Sequence, residues 1–233
     1  MMLKTKTLYT AVGRFEKRYN GGRLSCPVIV LGGKEYMVDI QEMVVWTILN
    51  WRIVRKEEIG ALYEEMIKKS GTPMERPWEA CMERLLVRGL LVSGSGETEY
   101  DALYDLVSSL YIIPTDGSLP LRLAAFLKLT LANRVPFSTA RKLFRKDSRT
   151  DGEKNVMHLA RQTLLSTAEI IKCTEKGIHC LPDENSIMDG LYDDCDTTSD
   201  NIGSLMKSSP RTKDITLAVA NLYLRQQIIF ERI

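Results

Sequence analysis

The stretch Asp39-Ile40-Gln41-Glu42-Met43-Val44-Val45-Trp46-Thr47-Ile48-Leu49-Asn50 carries the clearest helix signal in the chain. Asp39 followed three residues later by Glu42 is a capping-box spacing, in which each side chain takes up a first-turn amide that has no partner inside the helix. A first helix is therefore expected over about 40–50. Downstream, Ile59, Leu62, Tyr63, Met66 and Ile67 recur at the spacing of one helical face, which predicts a second helix over about 56–69, ended by Gly71. Trp78, Cys81, Met82, Leu85 and Leu86 repeat that stripe in a third helix beginning near Pro77, whose fixed φ suits a helix start. Three amphipathic helices with short connections must bury their stripes against one another.

Working outward, residues before Asp39 read as β. Residues 9–19 contain strand formers, Asn20-Gly21-Gly22 is a turn signal, Cys26-Pro27-Val28-Ile29-Val30-Leu31 is a short buried run, and Gly32-Gly33 turns into Tyr36-Met37-Val38. After Arg88-Gly89, Leu90-Leu91-Val92 is strand-like, and Gly94-Ser95-Gly96 reads as a flexible tip. A helix over about 99–111 then leads to Pro114-Thr115-Asp116-Gly117-Ser118, whose Pro, Gly and small polar residues mark a linker. Beyond it the pattern predicts helices over 119–132, 138–146, 152–175, 184–191, 199–207 and 213–232. The last is apolar nearly all round, as in a helix buried at a domain centre or paired with a second copy of the chain.

Composition narrows the class. Of the 233 residues, 44% are hydrophobic and 27% charged, an ordinary globular balance. Charges Arg122 and Lys128 break the longest apolar run, so no membrane span is expected, and the N-terminus lacks the apolar core of a secretory signal. These features predict a cytoplasmic protein. Five cysteines at irregular spacings point to reduced thiols. The net charge of +2 hides an uneven distribution: residues 120–149 have eight basic side chains against one acid, and residues 175–200 have eight acids against Lys176 alone.

The segment from Asp39 through Cys81-Met82-Glu83-Arg84-Leu85-Leu86-Val87-Arg88-Gly89-Leu90-Leu91-Val92 resembles the winged helix-turn-helix regulators, over about one third of the chain. The resemblance implies an N-terminal winged-helix-type domain over 1–114, and the downstream pattern adds an all-helical domain over 115–233 with a basic face and a possible dimerisation helix, a mainly α fold with a small β component. The resemblance also implies a DNA-binding transcriptional regulator. The third helix would enter the major groove, with Arg76, Arg84 and Arg88 facing bases and phosphates and the following strands forming a wing. Glu75, Glu79 and Glu83 offset those arginines, and Glu97 stands at the tip. A second positive surface is expected at Arg141, Lys142, Arg145 and Lys146, where phosphate contact would give salt-sensitive affinity.

The order of three strands followed by three helices over about 12–92 also resembles the PqqD-like peptide-recognition domains. That resemblance implies a peptide added as a strand beside residues 28–38, clamped near the third helix. No cofactor or metal is expected. Cys173, His179, Cys180 and Cys195 lack the paired spacing of a structural zinc site, and Gly94-Ser95-Gly96 lacks the third glycine of a dinucleotide loop. Neither His158 nor His179 sits in a nucleophile motif, so an enzyme is not expected.

Overall fold

The computed structural model of the chain describes residues 5–19, 25–70, 75–115, 149–194 and 196–232. The β lead-in is two strands rather than one, β1 (Lys6–Ala11) and β2 (Arg14–Tyr19), which enter different sheets. They part at Gly13, where φ is 82° and a Cβ would lie 2.6 Å from the Val30 carbonyl oxygen. Strands β3 (Ser25–Leu31) and β4 (Lys34–Met37) form a hairpin through Gly32 and Gly33, with φ of 55° and 73°. Positive φ at both turn positions matches the two-residue turn whose twist suits a hairpin. This sheet has the order β2-β3-β4.

Helix α1 (Ile40–Leu49) begins with the expected capping box: Asp39 Oδ1 accepts from Glu42 N at 2.9 Å, and Glu42 Oε2 accepts from Asp39 N at 3.1 Å. β5 (Val54–Arg55), α2 (Lys56–Ser70) and α3 (Trp78–Val87) follow, then β6 (Leu91–Gly96). The predicted stripes face inward. Val45, Trp46, Leu49, Ile59, Tyr63, Cys81 and Leu85 are all buried. Trp46 satisfies its indole N–H on the Val12 carbonyl at 3.1 Å.

Gly94-Ser95-Gly96 is not a loop tip. It pairs antiparallel with Lys6-Thr7-Leu8 in a sheet of order β5-β1-β6. Helix α4 (Glu99–Val107) lies so close on β6 that a Cβ at Gly94 would sit 2.2 Å from Leu106 N. The glycines there provide close approach of helix to strand, not flexibility.

The all-helical expectation for the second half is corrected. β7 (Tyr111–Pro114), β8 (Leu165–Ser166) and β9 (Ile228–Glu231) form a third antiparallel sheet of order β8-β7-β9. The described helices of this half are α5 (Asp151–Ala160), α6 (Thr167–Lys176), α7 (Glu184–Leu191), α8 (Ile202–Met206) and α9 (Thr212–Leu224), of which α5, α6 and α9 pack on the sheet. The helix expected over 152–175 is cut by a turn at Arg161-Gln162-Thr163, after which Ser166 and Glu169 form a fresh capping box. The helix expected over 213–232 stops at Leu224, and Gln226, at φ 59°, turns the chain into β9. Its apolar surplus is thereby divided: Ile215, Val219 and Leu222 are buried from the helix, and Ile228 and Phe230 from the strand. The expected boundary at 114 falls at the end of β7, whose sheet partners lie beyond it. The helices expected over 119–132 and 138–146 lie outside the described residues.

The two halves repeat one arrangement. In each, a leading strand occupies the centre of a three-stranded sheet, flanked by a two-residue strand after the first helix and by a longer strand after a later one, α3 in the first and α9 in the second. The registers coincide: Leu8 faces Arg55 and Gly94, while Tyr111 faces Ser166 and Glu231. Glu58 Oε2 accepts from Arg55 N at 2.8 Å, and Glu169 Oε2 from Ser166 N at 2.6 Å. Helices α3 and α9 end alike. Gly89 and Gln226 have positive φ, and Leu90 N and Gln227 N each donate at 2.9 Å, to Leu85 O and Leu222 O. Glu42 and Glu153, both buried at the third position of a capped helix, each receive an arginine, Arg88 at 3.1 Å and Arg225 at 3.4 Å.

The repeats are joined through Tyr223. Its hydroxyl accepts from Thr10 Oγ1 at 2.8 Å and Trp51 N at 2.9 Å and donates to the Ala11 carbonyl at 3.0 Å. Trp51 Nε1 donates to the Ile228 carbonyl at 3.2 Å, and the Tyr223 and Phe230 rings stack with centroids 4.2 Å apart. Among the described residues no helix is long and apolar enough to cross a membrane.

Candidate functional site

The first repeat brings β4, the start of α1 and the end of α3 to one surface. β4 ends its sheet, with β3 as its neighbour. Leu31 and Lys34 flank the tight turn, so hydrogen-bonded pairing falls on Lys34 and Tyr36, and Met37 turns its backbone away from β3. Three large apolar side chains on β4, α1 and α3 have little cover: Met37 is 70% exposed, Ile40 63% and Val87 88%. Val87 belongs to none of the inward stripes. A side chain of this size left out of the core marks a contact surface when it has apolar neighbours.

All three predicted arginines of the third-helix region come to this surface, but each is engaged by the protein itself. Arg76 pairs with Asp39. Arg84 Nε lies 2.8 Å from Glu42 Oε1, an ion pair without hydrogen-bond alignment. Arg88 Nη1 donates to Glu42 Oε2 at 3.1 Å, Nη2 donates to the Met37 carbonyl, and the guanidinium lies 5.9 Å from the centre of the Tyr36 ring. Burial works against the charge on Asp39, yet the Glu42 amide and Arg76 hold its carboxyl below the ordinary range. The arginines thus brace β4 and α3 against the N-terminus of α1. Arg84, its side chain 56% exposed, offers the most outward charge. Glu79 and Glu83 are exposed on the same helix.

Arg141, Lys142, Arg145 and Lys146 lie outside the described residues. Of the basic segment, Arg149 is described, and its Nε donates to Gln227 Oε1 at 2.8 Å. In the acidic segment, Asp194 and Asp193 are partners of Lys172 and Lys176 at 2.9 and 2.5 Å.

Elsewhere the chemistry is muted. Burial pushes the Cys81 thiol up, and burial together with Glu169 pushes Cys173 up to about 12, so both stay protonated. Among the described residues no three His, Cys, Asp or Glu side chains are grouped to hold a metal ion. Asn155, His179, Arg211 and Asp214 help line a mixed-charge cleft of about 810 Å³ between α5 and α9.

No family model, curated protein or solved structure matches the chain. The resemblance to peptide-recognition domains implies residues 28–38 and the third helix as the two sides of a peptide site, but not Met37, Ile40 and Val87 as exposed apolar residues on it. The signal available was that Ile40 and Val87 fall outside the buried stripes of their helices.

Proposed function

We propose that the chain is a peptide-binding adaptor, with each repeat a winged-helix-type unit whose third strand is supplied from before the first helix. The observation that carries this reading is that β4, the end strand of its sheet, is held beside the end of α3 by Arg88, with Met37, Ile40 and Val87 exposed on the elements that meet there. A peptide laid beside β4 displaces Arg88 from the Met37 carbonyl and gains main-chain hydrogen bonds along the edge, and the exposed apolar side chains select those of the peptide. The three-strand, three-helix order resembles the PqqD-like domains, which use this geometry. The occupant proposed is an extended segment of a partner protein with apolar side chains.

The DNA-binding regulator is the second reading, and the half-exposed Arg84 guanidinium favours it. Against it, Arg76 and Arg88 are held by Asp39, Glu42 and the β4 backbone, where a base contact would need them released.

A displayed random 12-residue peptide library, panned on the full chain, tests the proposal, with selected peptides measured by fluorescence anisotropy. Val87→Glu and Met37→Asp alter exposed side chains and should each weaken binding by about tenfold, the effect of losing a central apolar contact. Unchanged affinity in both variants overturns the site. A gel shift with duplex DNA that responds to Arg84→Ala, alongside failed peptide selection, would favour the regulator.

A further inference from the structure

The hairpin that carries β4 is supported from outside its own sheet. Gly32 donates its N–H to Glu231 Oε1 at 2.7 Å, an oxygen that also accepts from Arg232 N at 3.2 Å. Glu231 is buried. One residue back along β9, the Phe230 carbonyl accepts from Gly13 N at 2.8 Å. The turn and β9 meet backbone to backbone, since a Cβ at Gly32 would lie 2.9 Å from the Arg232 carbonyl oxygen. Arg232 also reaches the opposite wall of the site: its Nη1 is 3.6 Å from where a Cβ at Gly89 would stand, in the turn that closes α3.

The internal repeat shows that this contact is not generic architecture. Glu231 occupies in its sheet the place that Gly94 occupies in the first, each opposite the matching residue of the central strand. A carboxylate there serves the junction between repeats, not the repeat itself. Its partner is the turn most in need of support, because two successive glycines give a hairpin little stiffness of its own.

We infer that the end of β9 is a strut that fixes the gap between β4 and α3, with Glu231 as a positioning residue for peptide binding. The inference rests on the peptide reading above. An added strand must sit at the fixed interstrand distance of about 4.8 Å, so a hairpin free to drift must be ordered by the peptide and affinity falls.

Hydrogen exchange on the full chain, beside anisotropy with a library-selected fluorescein-labelled peptide, tests this. In Glu231→Ala, amides of residues 28–38 should exchange roughly tenfold faster while those of α5 and α6 keep their rates, as expected for local opening. Peptide affinity should fall by a similar factor. Gly32→Ala, which crowds the same contact from the other side, should do likewise, and Glu231→Gln, which keeps an acceptor oxygen, should recover most of both readouts. Wild-type exchange of residues 28–38 in Glu231→Ala and in Gly32→Ala overturns the strut. If faster exchange leaves peptide affinity unchanged, the positioning role is overturned. If the wild-type chain selects no peptide, the functional reading fails, and the exchange data still decide the strut.

Discussion

Arg88 closes on Glu42 across 3.1 Å, tying the end of the third helix to the start of the first. The carboxylate is buried, caps Asp39 N with Oε2 and lies beside Arg84, so three groups depend on it.

Glu42→Ala should cost about 2–3 kcal/mol, combining a lost capping interaction with ion pairs weakened by the partial exposure of both arginines. Glu153→Ala, with one arginine at 3.4 Å, should cost less. Urea midpoints of the two variants check the order, and equal losses would count against Arg84 as a contributor.

Two glycines should respond very unequally to the same methyl group. Gly94→Ala drives a Cβ into the α4 backbone at 2.2 Å, and overpacking against main chain should cost about 3 kcal/mol or more. Gly33→Ala meets nothing within 4 Å and carries only the left-handed penalty at φ 73°, about 1–2 kcal/mol. Thermal unfolding should therefore fall much further for the first.

Burial pushes the Tyr223 phenol up to about 12, even though Thr10 and Trp51 donate hydrogen bonds to it. Its ordinary value is 10.0, so the folded state holds the proton more tightly than the unfolded chain does. This contribution is complete below pH 10 and is lost as pH rises through about 12. Ultraviolet difference titration should show late-ionising phenols whose number falls by one in Tyr223→Phe. An unchanged high-pH phase in that variant would assign the late proton elsewhere, Tyr104 being buried with a similarly raised value.

The first repeat was legible from local signals. Asp39 and Glu42 placed α1, the stripes from Ile59 and Trp78 placed α2 and α3, and Gly32-Gly33 placed the hairpin. The second repeat was not, because its strands are short and continue helical stripes. Leu165-Ser166 follows α5 with no proline or glycine between, and Ile228-Ile229-Phe230 extends the apolar pattern of α9. Their strand character comes from pairing with β7, a long-range choice that a local window does not register. The arginines were found as residues but not as a brace, since their acidic partners Asp39 and Glu42 lie 37 to 46 positions away. Glu231 gave no signal at all, as its partner Gly32 is 199 positions distant.

The central strands β1 and β7 also set a timetable for the growing polypeptide. β1 waits for its longer neighbour until Gly96 has been made, and β7 waits until residues 228–231 emerge. During synthesis, Tyr111-Ile112-Ile113 therefore has at most the two-residue β8 as a neighbour until β9 is made, a window in which nascent chains adhere to one another. The first repeat closes earlier, but Tyr223, Trp51 and Thr10 complete their shared hydrogen bonds only when α9 has been made. Birth order thus leaves the first repeat's junction unsealed until the second is nearly complete.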